Sequence, residues 1–144
     1  EEAGLRGCKS WAKNHYDEYV NSGVETVVLC VDTLTDREYL RVYNKDMTGT
    51  VKNNQQFSQL VMDASKDAGH DDIELSSVFF GSSDAAAFSQ AGITATCLAA
   101  MDPRPADYYH NRRDTADRLV PETIKTGFDV IISTILNFDE KGLN

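Results

Sequence analysis

Acidic side chains and one histidine are the residues of this chain that could do chemistry. Glu1 and Glu2 open the sequence, Asp32 follows the apolar run VVLCV, and Asp84 follows the run VFF. His110 lies in the segment MDPRPADYYHNRRDTAD, after a third apolar run, TATCLAA. Carboxylates and an imidazole without cysteine suit a divalent metal, and zinc is the commonest metal where imidazole takes part. A zinc pair that acts on an amide also needs a carboxylate to accept a proton from water and a donor for the oxyanion.

The position of these residues after strand-like runs predicts that they meet. In open α/β sheets, functional groups collect at the carboxyl ends of strands and in the loops that follow. Long loops without regular structure, such as 101–117, are more often functional than not. We therefore expect Asp32, Asp84 and His110 to converge near one edge of the sheet, with the two opening glutamates beside them.

Strands and helices are predicted to alternate along one domain, residues 1–144. The apolar periodicity and the capping residues predict helices at 3–20, 54–68 and 84–91 and from Pro121 to about 140, and strands within 25–33, 37–44, 75–80 and 93–100. The continuous run VVLCV is typical of a strand covered on both faces and is expected to be central. This order predicts an α/β fold with layered helices around a mostly parallel or mixed sheet.

The last helix has the clearest apolar stripe of the chain. Pro121 suits its first turn, and the stripe is expected to pack along one face of the sheet; it comprises Ile124, Phe128, Ile131, Ile132, Ile135 and Leu136.

Composition excludes several classes of function. The chain has 23 acidic and 14 basic residues and a net charge of -9, so no nucleic-acid partner is expected. VVLCV is its longest apolar run, far below the roughly 20 residues that cross a bilayer, so no membrane insertion and a soluble chain are expected. Cys8, Cys30 and Cys97 stand singly and are interpreted as small buried hydrophobes, and His15 and His70 as structural.

Four stretches resemble one known family. They are EEAGLRG, the strand that ends in Asp32, GSSDAAAFSQAGITA and YYHNRRDTADRL. Their order and spacing are similar to the C-terminal half of the co-catalytic zinc aminopeptidases, metallopeptidase family 28, which have the zinc-exopeptidase (phosphorylase/hydrolase-like) fold. The corresponding family stretches are E-E-x-G-L-x-G, an aspartate that ends a core strand, S-D-x-x-x-F-x-x-x-G-I-x-A and H-x-x-x-D-T-x-D.

The resemblance implies roles for the acidic residues and the histidine. Glu1 matches the general base that takes a proton from the attacking water and later protonates the leaving amine. Glu2 matches a ligand of one zinc ion, shared with His110, and Asp32 matches a ligand of the other.

Further roles follow from the same resemblance. Tyr109 stands where some members place a tyrosine that donates a hydrogen bond to the oxyanion, and Tyr108 competes for that role. Asp84 and Asp114 match positions interpreted as helix caps or as groups that hold the ligands in place. Many relatives have a histidine directly after the S-D pair, where this chain has Ala85.

The resemblance also bears on what the 144 residues can do alone. The family's remaining ligands, an H-x-D and a bridging aspartate, lie before the double glutamate, so the sequence is interpreted as the C-terminal part of a longer enzyme with two zinc ions. We expect this chain to bind zinc weakly or not at all, to leave peptide bonds uncleaved, and to associate with itself through an open sheet edge.

Other functions stay open at this point. One alternative is a metal-free binding or structural module with the same fold, which Ala85 and the missing ligands favour. Glutaminyl cyclases and glutamate-type carboxypeptidases share the double acidic motif and form the other alternative. A dicarboxylate substrate would need an arginine cluster, for which Arg104, Arg112 and Arg113 are the candidates.

Overall fold

Helices and strands alternate in the computed structural model, which describes residues 2–104 and 106–143. The elements are α1 (Arg6–Tyr19), β1 (Val28–Asp32), β2 (Leu40–Asp46), β3 (Val51–Lys52), α2 (Gln55–Asp67), β4 (Glu74–Ser77), α3 (Asp84–Gln90), β5 (Ala95–Ala100) and α4 (Pro121–Lys141). Every helix and strand predicted from the sequence is present. The run 75–80 is strand only as far as Ser77, and the strand predicted at 37–44 opens with a short 3-10 turn, Arg37–Tyr39.

The sheet is mixed, as the sequence predicted. Its order is β1-β5-β2-β3, and β4 also pairs with β2. Strand β1 is parallel to β5, whereas β2 is antiparallel to β5 and parallel to β4. Strands β1 and β5 therefore end at the same side of the sheet, and β4 runs in the opposite direction.

The prediction that VVLCV is a central strand is wrong for the described residues. There, β1 pairs with β5 alone and forms one edge of the sheet. Both faces of β1 are nevertheless covered, because Val28 and Cys30 pack on one side and Val27 and Leu29 on the other. A continuous apolar run reports covered faces, and it carries no information about the strand's hydrogen-bonding edges.

Helices cover both faces of this sheet. Ala12 of α1 and Phe88 of α3 pack against Cys97 on one face. On the other face, Phe57 and Val61 of α2 pack against Leu98, in the same cluster as Val130 of α4. All six residues of β5 are buried, so this strand lies at the centre of the layered fold.

Local side-chain interactions define where helix α2 begins and which of its faces is buried. The Asn54 side chain accepts a hydrogen bond from the Phe57 backbone N–H at 2.8 Å, which satisfies one of the free donors of the first turn. Phe57, Val61 and Ala64 recur at helical spacing and are fully buried against the sheet.

The prediction for α4 is wrong about which face is buried. Pro121 lies in its first turn as expected, but its buried residues are Thr123, Thr126, Gly127, Val130 and Thr134. Four members of the predicted stripe are more than half exposed: Phe128, Ile132, Ile135 and Leu136. Gly127 explains the choice of face, because a Cβ there would lie 2.8 Å from the Leu34 Cδ1 atom. The face with small side chains allows the closest approach, so it is the buried one.

Among the described residues, no helix is both long enough and apolar enough to cross a membrane.

Candidate active site

A cavity of about 310 Å³ collects most of the residues that the sequence singled out. Its walls come from residues 32–35 after β1, from Phe80 and Ser82 before α3, and from the segment between β5 and α4. Glu2 also lines it. The cavity therefore lies at the carboxyl ends of the parallel strands β1 and β5, as the rule for open α/β sheets predicts.

Glu2 and His110 are in direct contact in this cavity. The His110 Nε2 atom lies 2.7 Å from the Glu2 Oε2 atom, and both side chains are at least half exposed. His110 has a φ of 54°, a left-handed conformation that is uncommon for any residue other than glycine. Backbone conformations of this kind persist where the surrounding structure over-determines them.

Tyr109 packs on the same imidazole. The two rings are stacked, with centroids 3.8 Å apart and an angle of 16° between their planes. Phe80 contacts the other side of Tyr109 edge-on at 6.2 Å. The Tyr109 hydroxyl lies 3.4 Å from the position that a Cβ on Gly81 would take, so it points to the loop before α3.

Tyr108, the competing tyrosine, is engaged elsewhere. Its hydroxyl donates to the Thr35 Oγ1 atom at 3.2 Å, and the Arg118 guanidinium lies over its ring at 5.6 Å. This contact ties the loop after β5 to the loop after β1 and forms part of the cavity wall.

Asp32 is the last residue of β1 and is exposed towards the cavity. The residue after it, Thr33, has a φ of 48°, and its carbonyl accepts a hydrogen bond from the Ala100 N–H at 3.1 Å. That bond fixes the turn after β1 against the end of β5. Asp114 lines the cavity from the opposite segment and is also exposed.

The described lining of the cavity does not include Asp84, and its predicted convergence with Asp32 and His110 stays a prediction. This aspartate is the first residue of α3, and one of its carboxylate oxygens is buried without a hydrogen bond among the described residues. Strand β4, which precedes α3, runs against β1 and β5, yet Phe80 and Ser82 of the loop after it reach the cavity. The residue that caps α3 is Ser83, whose hydroxyl accepts from the Ala85 N–H.

Three thiols with raised pKa values lie near α3: Cys97 is buried, whereas Cys8 and Cys30 are half-buried. Burial, aided by a hydrogen bond and the charge of Asp84, raises the pKa of Cys8 to about 11. Burial raises the pKa of Cys30 to about 12, and that of Cys97 lies well above its ordinary value for the same reason. The prediction of small buried hydrophobes is therefore confirmed for Cys97, whereas Cys8 and Cys30 are only partly buried beside the core.

The types of ligand at the cavity suit zinc, but the described residues provide too few of them to hold the ion. Two carboxylates and an imidazole are typical zinc ligands, and Glu2, Asp32 and His110 all line the cavity. Among residues 2–104 and 106–143, however, no three His, Cys, Asp or Glu side chains come close enough together to hold a metal ion. The described residues alone therefore do not form a metal site. Glu1, interpreted as the general base, lies outside the described residues.

Sequence reasoning missed three polar residues of this region. Thr35 and Asp102 line the cavity. Asp102 lies in the long loop after β5, for which the sequence analysis gave this residue no role. Asp46 at the end of β2 is fully buried and accepts hydrogen bonds from the Met47 N–H and from the N–H and hydroxyl of Ser83. No sequence signal distinguishes it from the other aspartates of an acidic chain.

Comparison with known proteins settles the family. The sequence model of peptidase family M28 matches residues 1–135. The chain belongs to this family. No curated protein matches the sequence of this M28 chain.

Solved structures show the same fold. The M28 chain is similar to LapA of Legionella pneumophila, an aminopeptidase, at 17% identity and a TM-score of 0.76, covering 95% of this chain and 37% of LapA. It is also similar to a glutaminyl cyclase from an Acidobacteriales bacterium, at 17% identity and a TM-score of 0.72, covering 96% and 47% of the two chains. BSAP, a zinc aminopeptidase from Bacillus subtilis, matches at 20% identity and a TM-score of 0.66, covering 95% and 33%. The chain thus spans less than half the length of each of these proteins.

Proposed function

We propose that this chain provides active-site residues of a zinc-dependent aminopeptidase that hydrolyses N-terminal peptide bonds. One observation carries the proposal: Glu2, Asp32, Tyr109 and His110 line a single cavity in a chain of peptidase family M28. These residues come from three separate parts of the sequence, so their proximity is a result of the fold and does not follow from local sequence. A peptide with a free amino terminus is the proposed substrate.

Each residue has a proposed role. Glu2 and His110 are ligands of one zinc ion, and Asp32 is a ligand of the other. Glu1 accepts the proton of the attacking water and returns it to the leaving amine, and Tyr109 donates a hydrogen bond to the oxyanion. Zinc supplies Lewis-acid chemistry at sites of this kind.

Contacts within the chain support these roles by limiting how the side chains can move. The stacked Tyr109 ring and the contact with Glu2 hold the His110 imidazole in one orientation. The bond between Tyr108 and Thr35 joins the two loops that carry His110 and Asp32. Catalysis depends on such positioning to within about an ångström. Asp114, which lines the cavity, is proposed to hold the loop of His110 in place.

The 144 residues alone are proposed to bind zinc weakly and to be inactive. A catalytic zinc usually has three protein ligands, and this chain offers two for one ion and one for the other. The remaining ligands are proposed to come from outside these residues, which is consistent with the greater length of the similar structures.

Two other functions compete. The similarity to a glutaminyl cyclase favours cyclisation of amino-terminal glutamine on the same fold. The incomplete ligand set among the described residues favours a metal-free binding module.

The experiment measures zinc content after dialysis and turnover of an aminoacyl chromogenic amide. It compares the 144-residue chain, a form extended by the upstream codons of its gene, and the Glu1→Gln variant of the extended form. We expect zinc and turnover only in the extended form, with zinc retained and turnover lost on Glu1→Gln. Turnover by the short chain would refute the incomplete-site argument, formation of pyroglutamate from a glutaminyl peptide would indicate the cyclase, and an extended form without metal or activity would favour the binding module.

A further inference from the structure

Helix α4 exposes its larger apolar side chains. Phe128, Ile132, Ile135 and Leu136 are 60%, 53%, 57% and 63% exposed. Helix α2, which packs beside α4 on the same face of the sheet, has a polar outer surface: Gln55, Gln56, Gln59, Asp63, Lys66 and Asp67. Large apolar side chains are also exposed elsewhere, among them Phe79 and Phe80, but on α4 they form a contiguous stripe, which marks an interaction surface.

Five residues on one side of α4 are spaced symmetrically about Ile132, whereas Ile135 beside them has Asp129 at its mirror position. Lys125, Phe128, Ile132, Leu136 and Asp139 follow one another at intervals of three, four, four and three residues. At about 100° per residue they fall within an arc of about 80° on one side of the helix. The sequence of this arc is basic, apolar, apolar, apolar, acidic. Reversal of the helix therefore brings the basic end opposite the acidic end.

We propose that α4 is a docking surface for a second copy of this chain, paired antiparallel about a two-fold axis at Ile132. In this pairing Ile132 meets its own counterpart, and Phe128 meets Leu136 of the second copy. The interface is isologous, so every contact occurs twice. This inference goes beyond the proposed catalytic function and does not depend on it.

Charge complementarity selects the second copy as the occupant. Antiparallel pairing at Ile132 places Lys125 of each copy beside Asp139 of the other. Within one chain the Lys125 Nζ atom donates to Asp129 at 2.7 Å, and an ammonium has three N–H donors, so a second acceptor can be served. Parallel pairing would instead bring like charges together at both ends of the stripe.

The open edge of β1 is the competing site for self-association, because the sequence predicted association through an open sheet edge and β1 forms one. That edge is short and ends in the charged Asp32, and its outermost apolar residue, Val31, is 40% exposed. The α4 stripe presents larger side chains over three turns. Apolar burial scales with area, so the stripe is the stronger candidate.

The first test is the mass of the 144-residue chain by sedimentation equilibrium over a wide range of concentrations. We expect a dimer, and we expect Ile132→Lys to raise its dissociation constant by about 100-fold or more, because two lysines would face each other on the axis. Phe79→Lys is the matched control, since Phe79 is 69% exposed and lies outside α4. Circular dichroism checks that each variant keeps its fold.

Charge reversal tests the register. Lys125→Glu or Asp139→Lys alone is expected to raise the dissociation constant roughly fivefold, and the two together are expected to restore it, because exposed ion pairs are worth about 0.2–1 kcal/mol each. A monomer at every concentration would overturn the proposal, and the occupant of the stripe would then be a different polypeptide. A dimer that survives Ile132→Lys but dissociates with Val31→Lys would also overturn it, and would assign association to β1. Failure of the double variant to restore the dimer would overturn the antiparallel register.

Discussion

Two carboxylates at strand ends, Asp46 and Asp32, have opposite surroundings. Asp46 ends β2, is fully buried, and accepts three hydrogen bonds from Met47 and Ser83. Asp32 ends β1 and is exposed to the cavity, and within the described residues it makes no hydrogen bond or ion pair. A carboxylate with its acceptor sites filled by the protein holds the fold together, whereas one with them open can bind a ligand.

The largest effect is expected from Asp46→Ala. The substitution leaves the N–H groups of Met47 and Ser83 without their acceptor, and hydrogen bonds to charged groups contribute about 1.5–3 kcal/mol each. We expect the free energy of unfolding to fall by about 3 kcal/mol or more, as measured by urea denaturation. Asp32→Ala is the control, and an equal loss of stability in both variants would remove the contrast between the two carboxylates.

Ser83→Ala should have an intermediate effect. Ser83 caps α3 and donates its hydroxyl to Asp46, so the variant loses a cap and one of the three bonds of that carboxylate. Loss of an N-cap costs about 0.5–2 kcal/mol, and we expect about 2 kcal/mol in the same urea experiment. Ser82→Ala, which leaves the cap in place, is the matched control. If the two alanine variants were equally stable, the cap would not stabilise α3.

The raised pKa values of two half-buried thiols, Cys8 and Cys30, predict an alkaline loss of stability. The folded pKa values of Cys8 and Cys30, about 11 and about 12, lie above the ordinary value of 9.0 because of burial. A raised folded pKa contributes stability that is complete below the ordinary pKa and is lost as the pH rises towards the folded value. The urea midpoint should therefore fall between about pH 9 and pH 12, and Cys30→Ala should flatten that slope. A midpoint independent of pH over this window would contradict burial of these thiols.

Asp32→Asn should have the smallest effect on stability. The side chain is exposed and is not hydrogen-bonded within the described residues, so we expect a change of less than about 0.5 kcal/mol. A marked loss of stability would mean that Asp32 holds the end of β1 in place, and the comparison with Asp46 would then fail.

Much of the fold could be predicted from the sequence because local rules apply to it directly. Asn54 and the spacing of Phe57 and Val61 specify α2 to within a residue at each end. The position of α4 was predicted equally well, but its buried face was not, since the close approach of Gly127 to Leu34 depends on tertiary packing. The place of β1 at the sheet edge likewise depends on strand order, which hydrophobicity does not report.

The candidate site, like the fold, could be predicted from the sequence only in part. Asp32 and His110 could be placed together because β1 and β5 are parallel and end at the same side. The same rule does not apply to Asp84, because β4 before it runs the other way, and its place beside them stays a prediction. The proposed catalytic and ligand roles of Glu1, Glu2, Asp32, Tyr109 and His110 rest on the resemblance to the family and stay predictions.

The most direct test of the central claim, that ligand chemistry lies at the cavity, is paramagnetic broadening of backbone NMR signals by Mn²⁺ in the 144-residue chain. Manganese takes carboxylate and imidazole ligands, and broadening reports weak, transient binding. We predict that broadening is strongest at residues 32–35 and 108–114 and is weak around Asp46. Broadening spread evenly over the acidic surface, or centred on α3, would contradict the account.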